Sequence, residues 1–178
     1  MSRILIAYSS KTGITAECAA LLSRELKGLE ITLADLDRER PEPGAFDAVV
    51  IGGSIRFGRL RPAAKRFLRE YAETLEKMPH GLFLCCGFGH DFEEYAETEF
   101  SRELRESAFA VMSFGGVLKL KKASVAERLY LYHVRTAIRE SEIEDGEYTP
   151  TLPGILPENI GMMATALRRE IARKRSAK

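Results

Sequence analysis

Arg3-Ile4-Leu5-Ile6-Ala7-Tyr8-Ser9-Ser10-Lys11-Thr12-Gly13-Ile14-Thr15 is the stretch on which the fold turns. Residues 3–8 form a short, nearly continuous apolar run, the pattern of a buried strand. A polar turn ends it at Ser9 to Gly13. Residues 14–27 then carry Cys18, Leu21, Leu22 and Leu26 at helical spacing, and Gly28 stands where such a helix would stop.

The same alternation repeats along the chain. Residues 29–36, with β-branched Ile31 and Thr32, predict a second strand, and Pro41, Pro43 and Gly44 a loop. Residues 47–53 predict a third strand ending in paired glycines. Pro62 sits in the first turn of a helix expected to run to about Lys77, where its missing N–H does no harm. Residues 81–87 predict a fourth strand, 93–107 a charged helix and 109–114 a fifth strand. Strands alternating with helices require a parallel sheet covered on both faces. Right-handed crossovers and five strands point to the doubly wound α/β order 2-1-3-4-5. The tail predicts a helix over 124–139, a polar loop over 140–157 and a closing helix over 158–174. With no internal repeat or low-complexity segment, the expectation is one domain over residues 1–178.

The net charge is +1, so nothing in the total calls for nucleic acid or a strongly acidic partner. Cys18, Cys85 and Cys86 are odd in number and lack C-x-x-C spacing, which gives neither a disulfide framework nor a zinc site. The expectation is small buried thiols in a reducing cytosol, and no metal. The apolar run at 4–8 is too short for a signal peptide, and no stretch approaches the ~18 apolar residues of a membrane span. A cytoplasmic protein is expected, with peripheral membrane contact left open.

In a doubly wound sheet, ligands bind outside the carboxyl ends of the strands, where strand order reverses. The first strand-to-helix turn, Ser9-Ser10-Lys11-Thr12-Gly13-Ile14-Thr15, lies there. Free backbone N–H groups and the helix dipole favour a phosphate at such a place, and short hydroxyl side chains can donate to its oxygens. Competing motifs fail on the same residues. The chain has no G-x-x-x-x-G-K-[ST] string, and a dinucleotide fingerprint here would need two glycines besides Gly13. Ile51-Gly52-Gly53 supplies no acceptor aspartate at the end of strand three. The bland alternative is a simple helix cap.

Tyr8 to Thr15, followed by Ala19, resembles the FMN-phosphate signature of the flavodoxins, with Ser10, Thr12, Gly13 and Thr15 in the expected places. Ala7 departs from the larger apolar residue usual there. The resemblance implies FMN, held at its phosphate by Ser9, Ser10, Lys11, Thr12, Gly13, Ile14 and Thr15. It also implies two ring-holding loops. Ser54-Ile55-Arg56-Phe57-Gly58 follows strand three, with Phe57 able to stack on a flat ligand. Gly87-Phe88-Gly89-His90-Asp91 follows strand four and is similar to the flavodoxin G-x-G-D-x-x-Y loop, with His90 inserted before the aspartate. Phe92 and Tyr95 fit a helix packed on the sheet equally well. His90 is the one histidine expected near this mouth, and His80 and His133 have no supporting constellation.

Carrier flavodoxins are acidic, and this chain is not. Arg56, Arg59, Arg61, Lys65, Arg66 and Arg69 cluster just past the second loop. For Arg66 and Arg69 a solvated helix face suffices; Arg56 and Arg59 are candidate contacts for an anionic substrate. Gly53 to Gly58 closely resembles the second loop of the menaquinone-dependent protoporphyrinogen dehydrogenase family, flavodoxin-fold enzymes that pass electrons from a porphyrinogen to a quinone. Gly116-Val117-Leu118-Lys119-Leu120-Lys121 and the helix from Ala126 resemble that family's basic-aromatic stretch. Interleaved Lys119, Lys121, Lys122, Arg128, Arg135 and Arg139 with Leu129, Tyr130, Leu131 and Tyr132 suit an anionic lipid surface, or a helix over the sheet edge. The family's long basic loop after strand four is replaced here by the acidic stretch 91–106. The resemblance thus implies an FMN-dependent oxidoreductase with a small-molecule donor and a quinone or protein acceptor, and leaves a homodimer open. A flavodoxin-type electron carrier and a flavin-free module remain as alternatives.

Overall fold

The structure is a computed structural model that describes residues 1–86, 91–116 and 154–176. Its elements in chain order are β1 (Arg3–Ser9), α1 (Ile14–Glu25), β2 (Glu30–Asp35), β3 (Ala48–Arg56), β4 (Arg59–Leu60), α2 (Pro62–Glu70), α3 (Ala72–Glu76), β5 (His80–Cys85), α4 (Phe92–Glu99), α5 (Arg102–Ser107), β6 (Ala110–Ser113) and α6 (Pro157–Ser176). The sheet order is β2-β1-β3-β5-β6, all parallel, with the short β4 paired antiparallel to β3. Counted without β4, the strands stand in the expected order 2-1-3-4-5. Ser9, the last residue of β1, lies opposite Gly53, and Cys85, the last of β5, opposite Ser54, so β1 and β5 end at nearly one level while β3 runs on to Arg56.

Alternate residues of each strand supply two cores. Ile4, Ile6, Val50 and Phe83 face α1 and α6, where they meet Cys18, Leu22, Met163 and Leu167. Leu5, Ala7, Val49, Ile51, Leu82 and Leu84 face the other way, onto Phe67, Leu68, Leu75, Phe100 and Leu104. Both faces are buried, which is why the central strands read as unbroken apolar runs. His80 opens β5 fully buried, with Nε2 2.9 Å from the Leu104 carbonyl oxygen and Nδ1 3.2 Å from that of Met78. A carbonyl oxygen only accepts, so this ring serves packing and hydrogen bonding far from the strands' carboxyl ends.

Two expected helices are each divided. The helix read over 62–77 breaks at Tyr71 (φ −110°, ψ 18°), whose ring packs 4.9 Å from that of Phe67 while α3 turns Leu75 into the core. The helix read over 93–107 breaks at extended Phe100, buried against the sheet, and Ser101 Oγ restarts it by accepting from the Leu104 N–H at 3.3 Å. The third strand runs three residues beyond its expected end, because Ser54 to Arg56 continue into a hairpin with β4. At the far edge Gly115 bridges Ile155, and the Leu156 N–H donates to the Phe114 carbonyl at 3.0 Å. The helix expected over 124–139, the basic stretch from Lys119 to Arg139 and most of the 140–157 loop lie outside the described residues. Among the described residues no helix is long and apolar enough to cross a membrane.

Candidate functional site

The turn after β1 is built by Gly13. Its φ of +90° is natural only for glycine, a side chain added there would meet nothing within 4 Å, and it caps α1 without any side-chain cap hydrogen bond. Ser10 Oγ accepts from the Gly13 N–H at 3.2 Å and closes the turn from below. The first intrahelical bond, Glu17 N–H to Gly13 carbonyl, is 2.9 Å, so the amides of residues 14–16 ahead of it have no partner within the helix. Thr15, one residue into α1, is completely buried, and its hydroxyl has no hydrogen-bond partner among the described residues. The Cys85 thiol lies beside it, at a geometry that falls short of a hydrogen bond. The neighbouring Cys18 thiol and burial push that thiol well up, with Thr15 pulling weakly the other way, so it stays protonated. Burial also pushes Cys86 up. All three cysteines are buried and none is in a disulfide, and burial keeps Cys85 and Cys86 from the thiolate character of a reactive thiol.

The second loop is a hairpin. Ile55 pairs with Leu60 and Arg56 with Arg59, leaving Phe57 and Gly58 as a two-residue turn with φ of +51° and +71°. Positive φ at both central positions defines the type I′ turn, where Asn-Gly is the usual choice. Phe57 is the one non-glycine residue with positive φ among the described residues, and 47% of its surface is exposed. Burial therefore does not account for a conformation that costs about 1–3 kcal/mol. Phe57→Asn is expected to raise the thermal midpoint by relieving it; an unchanged or lowered midpoint would show the ring to be structural. Ile55 instead packs against the α2 core, and Ser54 is half-buried. Arg56 and Arg59 stand opposite each other with like charges, and burial followed by the nearby Arg61 charge pulls the Arg56 guanidinium below its usual value.

Of the third loop, residues 87–90 (Gly87, Phe88, Gly89 and His90) lie outside the described residues. Asp91 stands at the start of α4, where its carboxylate accepts from the Tyr95 hydroxyl at 3.3 Å. Phe92 and Tyr95 pack on the α2-side core, the bland reading of those rings. Arg66 and Arg69 are exposed on α2.

Sequence reasoning missed one group. Ser9, fully buried, donates to Asp37 Oδ2 at 2.7 Å and accepts from Arg61 Nε at 2.8 Å, while Arg61 Nη2 donates to Asp37 Oδ1 at 2.6 Å. The Ser9 hydroxyl is thus already committed. Asp37 follows β2 in the charged run 35–40, where no motif distinguishes it. Burial pushes its carboxyl up, but hydrogen bonds from Arg61 and Ser9, the Arg61 charge and the Ser10 backbone outweigh that and hold it below the ordinary value. A depressed carboxylate contributes stability that is present above its unfolded pKa and lost as pH falls through the folded one. Stability is therefore expected to drop on acidification below about pH 4, and Asp37→Asn to flatten part of that loss in denaturation at stepped pH.

Comparison with known proteins fits this geometry. Protoporphyrinogen IX dehydrogenase (quinone) of Escherichia coli K12 is 37% identical over 84 residues, 46% of this chain and 46% of that protein. The match thus spans just under half the length of this curated relative. A flavodoxin of Streptococcus pneumoniae TIGR4 superposes with a TM-score of 0.57 at 14% identity, covering 94% of this chain and 99% of its own. A Fusobacterium nucleatum flavodoxin bound to flavin mononucleotide gives 0.51 at 14% identity, over 96% and 99%. Residues 5–142 match the family described as Flavodoxin domain, and with the sheet order and first turn this chain belongs to that family.

Proposed function

We propose that this chain binds FMN at the carboxyl ends of β1, β3 and β5 and acts as an FMN-dependent oxidoreductase, with an anionic donor of the protoporphyrinogen type and a quinone acceptor. The observation that carries the cofactor is the Thr15 hydroxyl, buried without a hydrogen-bond partner among the described residues in the first turn of α1, two residues after Gly13. A burial of that kind is costly unless something completes it, and a phosphate oxygen is the right acceptor at a helix N-terminus. Ser10, Lys11, Thr12, Gly13, Ile14 and Thr15 would hold the phosphate, with Ser9 bracing the turn from beneath. The hairpin Ser54 to Gly58 and the segment Gly87 to Asp91 would hold the ring.

Bound FMN supplies the reversible hydrogen and electron transfer. The chain supplies position and charge. Phe57 offers an aromatic face at the tip of a rigid two-residue turn. Arg56 and Arg59, paired across the hairpin, offer two guanidiniums to the carboxylates of a donor such as a porphyrinogen. Support for that donor is the partial match to the Escherichia coli dehydrogenase together with this arginine pair.

The test begins with the visible spectrum of the purified chain and a fluorescence titration of FMN. Tight quenching supports the cofactor, and no binding at micromolar FMN overturns it. Oxidation of protoporphyrinogen IX with added quinone then separates enzyme from carrier. Turnover that falls in Arg56→Gln and Arg59→Gln supports the donor. Electron transfer with protein partners alone would make the chain a carrier.

A further inference from the structure

The Ser9–Asp37–Arg61 cluster joins the two places where a ligand would be gripped. Ser9 ends β1 and leads directly into the phosphate turn. Asp37 accepts from the Ser9 hydroxyl at 2.7 Å, and the backbone of Ser10, the next residue of that turn, helps hold its carboxyl below the ordinary value. Arg61 approaches from the other side. Its backbone N–H donates to the Ser54 carbonyl at 3.2 Å, at the root of the hairpin, while its side chain reaches Ser9 at 2.8 Å and Asp37 at 2.6 Å. Pro62 follows, which restricts Arg61 to extended backbone (φ −53°, ψ 138°) and fixes where its side chain starts.

The chemistry of the cluster is that of a strut, not a binding group. Nε and Nη2 of Arg61 are spent on Ser9 and Asp37, and the Asp37 carboxylate balances its charge. The side chains of Arg61 and Asp37 are 18% and 27% exposed, so the pair is shielded enough to keep a fixed geometry. A planar fork spanning a hydroxyl and a carboxylate fits guanidinium and not ammonium.

We infer that Arg61 and Asp37 are positioning residues that couple the phosphate turn to the ring hairpin, so that filling one grip tightens the other. This rests on the FMN reading above. Coupling of that kind is a free energy between two sub-sites and is reciprocal, so it can be measured with the two halves of the ligand supplied separately. Riboflavin brings the ring without phosphate, and inorganic phosphate brings the anion without ring.

The experiment titrates riboflavin by fluorescence quenching with and without saturating inorganic phosphate, alongside FMN itself. In the wild-type chain, phosphate is expected to tighten riboflavin about fivefold or more. In Arg61→Met and Asp37→Asn that effect should vanish while each half-ligand alone still binds, and Arg61→Lys should not restore it. Ser9→Ala, which leaves the Arg61–Asp37 ion pair in place, is a second variant should the others fold poorly, and should weaken the coupling. A wild-type chain that binds FMN but shows no phosphate effect on riboflavin overturns the inference, and so do variants with undiminished coupling. A wild-type chain that does not bind FMN overturns the cofactor reading instead, and the inference with it.

Discussion

Thr15→Val is expected to stabilise the ligand-free chain and to weaken its hold on FMN by tenfold or more. Both halves follow from one atom. The Thr15 hydroxyl is sealed from solvent and has no partner among the described residues, and a buried polar group in that state costs about 1–3 kcal/mol. Valine keeps the shape and removes the polar atom, so the denaturant midpoint of the free chain should rise. If the hydroxyl donates to a phosphate oxygen, valine also removes a hydrogen bond to a charged group, about 1.5–3 kcal/mol or roughly ten- to a hundredfold in affinity. Thr15→Ser keeps the donor and should stay within a few fold of wild type. Titrating FMN against the three proteins, with a melt of each, gives the answer. Equal affinity in Thr and Val would return the turn to the status of a helix cap.

Gly52→Ala should destabilise the chain severely. Gly52 lies in β3 opposite Phe83 of β5, and a Cβ there would sit 2.5 Å from both Cγ and Cδ1 of the Phe83 ring and closer still to the Phe83 carbonyl oxygen. The ring cannot simply swing aside, because it stacks on Phe114 with centroids 4.4 Å apart. Nor can the carbonyl retreat without opening the ladder at the centre of the sheet. The expected loss is about 3 kcal/mol or more, a large share of the roughly 5–15 kcal/mol that holds a domain folded. Gly44→Ala, where a Cβ would meet only Glu42 Oε1 at 3.6 Å, is the control and should change little. A urea series on the two variants decides it, and comparable midpoints would mean the sheet yields more than its packing suggests.

What was legible in the sequence was what local chemistry decides. The apolar run at 4–8, the hydroxyl-rich turn and the start of α1 at Ile14 are fixed by residues touching their own neighbours, and strand order follows from handedness rules once the elements are counted. The breaks at Tyr71 and Phe100 were not legible. No proline or glycine marks them, and they arise where Leu75 and Phe100 find places against the sheet. The hairpin was hidden because β4 is two residues long and its turn carries phenylalanine where asparagine is usual. Asp37 was invisible for another reason. Its partners are 28 positions behind and 24 ahead in sequence, and a charged run offers no sign of which carboxylate folds inward.

The arginines facing each other across the β3–β4 hairpin make ionic strength a signed probe of this protein. Like charges directly opposite in a ladder repel, and the Debye length shrinks to about 8 Å at physiological salt and about 3 Å at 1 M. Added salt should therefore firm the hairpin of the free chain while loosening any anion drawn to it. Stability and donor affinity would then move in opposite directions along one sodium chloride titration, a pattern that a neutral hairpin could not produce.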